Sequence, residues 1–300
     1  MEAIIVSRSA RRHRIMTLIG VVTPFAGLVI AVCCLWGWAF TWVELSLLLV
    51  MYTACGLGVT VGYHRLFTHR AFQTVRPVAF VLGVLGSMSV QGPLLRWVAV
   101  HRSHHQHSDQ ENDPHSPHGR GEGIRGLIAG FWHAHIGWIF ADDDSNLSRH
   151  ARDLGRSRMA MVISRLFGVW VFLGLVIPTV AGGLITGTWR GAVLGFLWGG
   201  LVRVFLGHHV TWSINSVCHL WGERRFATSD QSRNNLLFGM LALGEGWHNN
   251  HHAFPASARH GLRWWEFDLS YLTIQLLKLF GLAWGVRQPA AEVIRRRSAA

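Results

Sequence analysis

Residues 15–43, 45–63 and 166–189 contain no charged side chain, and each run exceeds the ~18 apolar residues that mark a membrane-spanning helix. A fourth apolar run, residues 191–212, is interrupted by Arg203 and closes on His208 and His209. An arginine at that depth is costly and flags a function, unless it snorkels to the nearer interface. Residues 77–95 are also uncharged, but Gly83, Gly86, Gln91, Gly92 and Pro93 make them a poor lipid-exposed helix. The pattern predicts an all-α integral membrane protein with spans near residues 17–40, 45–63, 166–188 and 191–213. One membrane domain then covers residues 1–300, and residues 64–165 and 214–300 form a helical cap holding a di-metal site.

Charge orients this scheme. Of 28 Lys and Arg, four precede the first span, 12 lie between Tyr63 and Arg165 and 10 follow His219, while Arg203 is inside a span and Arg190 alone lies opposite. The asymmetry follows the positive-inside rule and puts both termini and the cap of this multi-pass membrane protein in the cytoplasm; 27 arginines against one lysine suit a bacterial cytoplasmic membrane. The net charge of +12 therefore reports topology and anionic lipid, and no nucleic-acid partner is expected. Arg8, Arg11, Arg12 and Arg14 precede a long first segment without a small-residue cleavage site, which reads as a retained anchor. The final RRRSAA reads as a solvated tail. Cys33, Cys34, Cys55 and Cys218 include no C-x-x-C pair, so neither a disulfide framework nor an iron–sulfur site is expected. Trp36, Trp38, Trp42 and Trp189 read as interfacial anchors.

Histidines carry the chemistry. HRLFTHR holds His64 and His69, HRSHH holds His101, His104 and His105, and HNNHH holds His248, His251 and His252. In the last two, positions i, i+3 and i+4 share a helical face, so all three rings can converge on one point. His64 and His69 are about 140° apart on an ideal α-helix, and the pair is expected to straddle a helix end. Asn215 and His219 lie four apart at the end of the fourth span, a ninth ring with an amide able to hold a metal-bound water. Imidazole suits iron, zinc, copper and nickel, and so many rings exceed one tetrahedral site. Two metal ions follow, each taking four or five nitrogens.

The order of these boxes, with GEGWHNNHHAFP at 244–255, VTWSINSVCH at 210–219, GFWHAHIGW at 130–138 and DPH at 113–115, resembles the membrane-bound fatty acyl desaturases of the stearoyl-CoA desaturase type, bacterial branch. The resemblance implies a di-iron centre held by His64, His69, His101, His104, His105, His219, His248, His251 and His252, with Asn215 acting through water. It implies an O2-dependent oxidoreductase that introduces a cis double bond into a saturated acyl chain, with acyl-CoA as the expected substrate and delta-9 as one position. An acyl-lipid or carrier-protein substrate stays open, as does a hydroxylase on the same di-iron centre. Unactivated methylenes offer no acidic proton, so a redox metal is needed.

Animal acyl-CoA members carry Arg and Asp before the second box, where this chain has Ala99 and Val100. Arg96, Arg102, Arg120, Arg125, Arg149 and Arg152 are the alternative phosphate receivers. Trp212 and Trp247 are expected to line the acyl tunnel. Glu245, Asp109, Asp113 and Asp268 are candidates to orient imidazoles, with His135 as the best supporting histidine, whereas His13, His150 and His260 read as surface residues. No haem module or cysteine cluster is present, so a separate ferredoxin, rubredoxin or b-type cytochrome, with its reductase, is expected to dock on the basic cap near Arg224 and Arg225. A metal transporter would instead carry its ligands inside the spans.

Overall fold

The computed structural model describes residues 2–34, 40–141 and 147–298; the anchors expected at Trp36 and Trp38, and the side chains of His13 and Cys34, lie outside that description. Among the described residues four helices are long and apolar enough to cross a membrane: Arg14–Cys33, Trp42–Thr68, Phe167–Thr186 and Trp189–Leu220. The first and third bury little of their surface within the protein, whereas the second and fourth are the inner pair. These two are also the long ones, at 27 and 32 residues. At about 1.5 Å per residue they exceed the ~30 Å hydrocarbon layer. Their C-terminal turns therefore project into the cap and carry His64, Asn215 and His219. The helices themselves run on past residues 63 and 213, where the apolar pattern ends, to Thr68 and Leu220.

Close helix approach orders the bundle. Gly191 and Gly195 let the fourth span meet the third at backbone distance: a Cβ on Gly195 would lie 2.1 Å from Pro178 O and one on Gly191 2.6 Å from Gly182 O. Small residues at this spacing substitute for a hydrophobic driving force in lipid. Trp198, Leu194, Leu197 and Leu201 pack with Ala31 and Leu48 where the first, second and fourth spans meet. Thr41 caps the second span, with Glu44 reaching back to the Thr41 N–H at 2.7 Å, so the buried Glu44 carboxylate serves a capping box.

Residues 77–95 do not cross. Arg76–Met88 forms a helix of 13 residues, about 20 Å long. It packs on the C-terminal half of the second span and ends in a turn with Val90 and Gly92 at positive φ. Arg203 lies behind this turn, buried. Its Nε donates to Gly199 O at 3.2 Å, one terminal nitrogen to Met88 O at 2.7 Å and the other to Gly174 O at 2.8 Å. Pro178, four residues on, has no N–H to give Gly174. The arginine neither snorkels nor pairs with an acid; it satisfies the Met88 carbonyl at a helix end, the Gly174 carbonyl that a proline leaves open, and Gly199 O one turn back in its own helix.

The cap is built on Leu94–His107, Gly123–His135, Arg158–Arg165, His248–Ala253 and Leu269–Leu279. Leu94, Val98, Ala160 and Ile163 form one apolar cluster with Tyr63 and Phe67, locking the second-box helix to the second span. A two-residue antiparallel pairing of Gln73–Thr74 with Ala283–Trp284 ties the C-terminal segment to the loop after His69. The basic tail is not simply solvated: Arg297 donates to Ala253 O at 2.6 Å, at the end of the third-box helix.

Candidate metal centre

Each histidine arrives on a well-anchored element. The second span changes from α to π at Gly58 and stays π-helical to Thr68. In this winding N–H groups reach back five residues, and the His69 N–H donates to His64 O at 3.1 Å. Residues five apart then share a face, and the two rings stand 4.8 Å apart between centroids. The pair straddles the helix end as expected, with His64 inside the helix and His69 at its C-cap, and it is the π winding that brings the two rings onto one face. His248–Ala253 has six residues, too few for a self-supporting helix, and its two asparagines hold it. Asn249 Oδ1 accepts the Phe226 N–H at 2.7 Å, and Asn250 Nδ2 donates to His260 O at 2.9 Å and to Glu266 at 2.8 Å.

Nine rings form two adjacent groups able to hold metal ions: His64, His69, His101, His105 and His251 in one, and His104, His219, His248 and His252 in the other. The two H-x-x-H-H boxes do not each converge on one point. In each, the i, i+4 pair faces one group and the third ring, turned round the helix, faces the other. Both boxes therefore straddle the two groups.

The donor atoms have metal-binding geometry. Nε2–Nε2 separations are 3.1 Å for His64–His251, 3.0 Å for His101–His105, 2.9 Å for His105–His251 and 3.0 Å for His219–His248. Two nitrogens at right angles on one ion, each about 2.1 Å from it, are about 3.0 Å apart. The Nε2 atoms of His69, His104 and His252 are buried without a hydrogen-bond partner, a costly state unless something else binds them. Burial and neighbouring rings hold His69, His101, His105, His248 and His251 well below the ordinary histidine pKa. The rings are neutral with free lone pairs, the form a metal requires.

Carboxylates hold the far side of four rings. The Nδ1–H of His64 donates to Glu245 at 2.5 Å, His104 to Asp113 at 2.9 Å, His219 to Asp109 at 2.8 Å and His252 to Asp230 at 2.7 Å. Burial pushes Asp109, Asp113 and Asp230 upward, but their histidine partners outweigh it and keep all three well below the ordinary carboxylate range. Such contacts fix ring orientation and raise ligand basicity.

An apolar cavity runs from this centre between the second and fourth spans toward Tyr52, Cys55 and Arg203. His64 and His101 of one group, and His248 of the other, with Asn215, wall its inner end. Clustered neutral nitrogens able to hold metal, facing a hydrocarbon-lined slot, suit redox chemistry on an apolar chain. The fatty acid desaturase family model matches residues 41–272. The chain belongs to the fatty acid desaturase family.

Relatives of this desaturase agree over nearly its whole length. The chain is 45% identical over 281 residues to a hex-5-enoyl-[acyl-carrier protein] acetylenase of Moorena producens, covering 93% of this chain and 88% of that one. It is 38% identical over 252 residues to an sn-1 stearoyl-lipid 9-desaturase of Anabaena variabilis, covering 83% and 85%. It is 37% identical over 287 residues to Delta-9 acyl-lipid desaturase 1 of Arabidopsis thaliana, covering 93% and 87%. The desaturase is thus an oxidoreductase of acyl chains, membrane-embedded, with a metal site.

Several expectations about supporting residues change. Neither Trp212 nor Trp247 lines the cavity; Trp97 does. Trp212 stacks on His208, and Trp247 is buried with its Nε1 donating to Phe267 O at 2.8 Å. Asp268 orients no imidazole but accepts both Arg65 and the backbone N–H of His260. Asp230 takes that role instead, and no spacing signal links it to His252, 22 residues away. His135 turns to His209 and Ser216 of the fourth span, at 3.0 Å each. His260 is no surface residue: it is buried, 3.5 Å from Glu245 and with its ring 4.5 Å from that of His251. His150 is half-buried, its carbonyl accepting from Arg102. Arg102 also binds Asp153, Phe67 O and Thr68 O, which commits its guanidinium to the fold. Ala99 and Val100 are buried.

Proposed function

We propose that the two groups hold a pair of iron ions, with all nine histidines as ligands and Asn215 positioning a metal-bound water on the four-histidine side. When bound, the irons would supply O2 activation and the removal of two hydrogens from adjacent methylenes. Overall, a saturated acyl chain, O2, two electrons and two protons give a cis-alkene and two waters. The observation that carries this reading is the shared wall: rings of both groups open into one apolar cavity between the second and fourth spans. Thr60 is turned away to Ser270, and Gln91 is paired with Thr211 at 2.8 Å, so these two polar side chains on the slot are already partnered.

The cap lies on the cytoplasmic side, and a separate electron donor docks there. The loop carrying the exposed Arg224 and the half-buried Arg225 is the favoured place. Its Asp230 holds His252, and its Gln231 N–H donates to Asp109, which holds His219. Arg225→Glu should slow donor-driven turnover and leave turnover with dithionite unchanged; equal slowing of both would move the docking site elsewhere.

The deciding experiment is a double-bond-localising mass spectrum of acyl chains from cells making wild type or His105→Ala with a reductase pair. The expected product is a new alkene at C9, the position named for the Anabaena and Arabidopsis relatives, absent in the variant. A hydroxylated chain would overturn desaturation in favour of hydroxylation. Repeating the assay in vitro with stearoyl-CoA, stearoyl carrier protein and a stearoyl phospholipid identifies the head group.

A further inference from the structure

We propose that the two metal positions are electrostatically unequal, so that the four-histidine group binds its ion first and more tightly although it has one ring fewer. The inference rests on the proposed ligand assignment and concerns what surrounds those ligands.

In the four-histidine group three of four rings donate to a carboxylate: His104 to Asp113, His219 to Asp109 and His252 to Asp230. The other hydrogen bonds to these acids come from neutral donors. Asp109 accepts Ser116 Oγ and the Gln231 N–H; Asp113 accepts the N–H groups of Asp109 and His115; Asp230 accepts Ser232 and Thr228. Their negative charge is thus held in place by dipoles and left for the metal.

The five-histidine group differs in kind. His64 is its ring with a carboxylate partner, Glu245, and the other oxygen of Glu245 lies 3.2 Å from a terminal nitrogen of the buried Arg65. That guanidinium also binds Asp268 at 3.1 Å. Here a cation sits among two acids, of which one touches a ligand. His251 Nδ1 in this group, like His248 Nδ1 in the other, is buried without a partner, so the difference lies in the number of carboxylates and in Arg65.

Ligand number and charge make opposite forecasts. Five neutral nitrogens against four favour the first group, whereas a carboxylate behind a ligating imidazole is worth about 10- to 100-fold in metal affinity. The four-histidine group has two more such carboxylates and no guanidinium on them in these hydrogen bonds. Charge outweighs one neutral donor, particularly where Asn215 can seat a water in the open position.

The test uses full-length protein in phospholipid-containing micelles, loaded anaerobically with iron(II) and dialysed against chelators of graded strength. Iron per chain is read by elemental mass spectrometry and folding by size exclusion. Wild type should release iron in two steps at least ~10-fold apart in affinity. His69→Ala should lose the weak ion and keep the tight one, and His219→Ala the reverse. Asp230→Asn, close to isosteric, should weaken the tight step 10- to 100-fold as such contacts do, while Glu245→Gln leaves that step in place. Release of both ions together in wild type, or loss of the tight ion in His69→Ala, overturns the inequality and leaves the ligand assignment standing. A folded wild type that holds no iron, or histidine variants that still hold two, overturns the assignment and the inequality with it.

Discussion

The His69 N–H and the His64 carbonyl meet at 3.1 Å across five residues, and this π-helical bond decides that both rings enter one group. The winding is backed by the Arg76–Met88 helix, which lies against it at backbone distance: a Cβ on Gly58 would fall 2.2 Å from Gly86 N and 2.4 Å from Leu85 C. Backbone does not yield as a flexible side chain does. Gly58→Ala should therefore cost about 1–3 kcal/mol of stability through overpacking and lower iron per chain, read by thermal unfolding and elemental analysis. Unchanged values for both would show that the π segment is set by something other than this contact.

Arg203 and Pro178 form a second coupled pair, through the Gly174 carbonyl. Two effects oppose each other in Arg203→Leu. Losing the buried cation relieves its desolvation, but carbonyls left without donors cost about 1–3 kcal/mol each, more so within hydrocarbon. We expect a net loss of about 2 kcal/mol. Pro178→Ala returns an N–H to Gly174 O, so the cost of Arg203→Leu should fall by about 1 kcal/mol in that background. A double-mutant cycle of unfolding in mixed micelles reads this coupling, and strict additivity would refute it.

Gly207 lines the acyl cavity, and a Cβ placed there meets no atom within 4 Å. Gly207→Val should fit without strain and occupy space meant for substrate. Because packed interiors tolerate no overlap, the preferred chain should shorten by about two methylenes. Iron content should not change. Competition among acyl chains of graded length, resolved by mass spectrometry, is the measurement; an unaltered length profile would mean that the chain does not run past this position.

Asp153 joins the second-box helix to the short Arg152–Gly155 helix by accepting Arg102 at 2.7 Å, with Arg70 also in contact. Burial raises its pKa, but the hydrogen bonds from Arg102 and Arg70 overcome this and hold it well below the ordinary range. A depressed carboxylate contributes stability that is complete above the unfolded value of about 3.9 and is lost as pH falls through the lower folded value. Solvent reaches this pair, so Asp153→Asn should cost about 0.5–1 kcal/mol at pH 7. The gap between the two proteins should close below pH ~4. A gap that stays constant down to pH 2 would assign the loss to packing.

Much of the site is visible in the order of residues because imidazoles have few other reasons to cluster. All nine rings expected at the centre lie there, and Glu245, Asp109 and Asp113 each hold an imidazole, though the sequence assigned none of them to a particular ring. Local spacing misled where it assumed one winding and one target. The α-helical rule separates His64 from His69, and it sends each H-x-x-H-H box to a single point, whereas the fold aims each box at two.

By itself the sequence determined the membrane class, the four apolar spans and the histidine chemistry, because each depends on residue type and short-range spacing: uncharged length for the spans, lone pairs for the metal. Only the tertiary structure decided how the rings divide, that Asp230 and His260 belong beside them, that Arg203 closes three backbone carbonyls, and that Trp97 in place of Trp212 and Trp247 faces the cavity. Those outcomes depend on which distant segments meet, such as Asp230 with His252 or Gly174 with Arg203. Contact across the fold leaves no periodic trace along the chain.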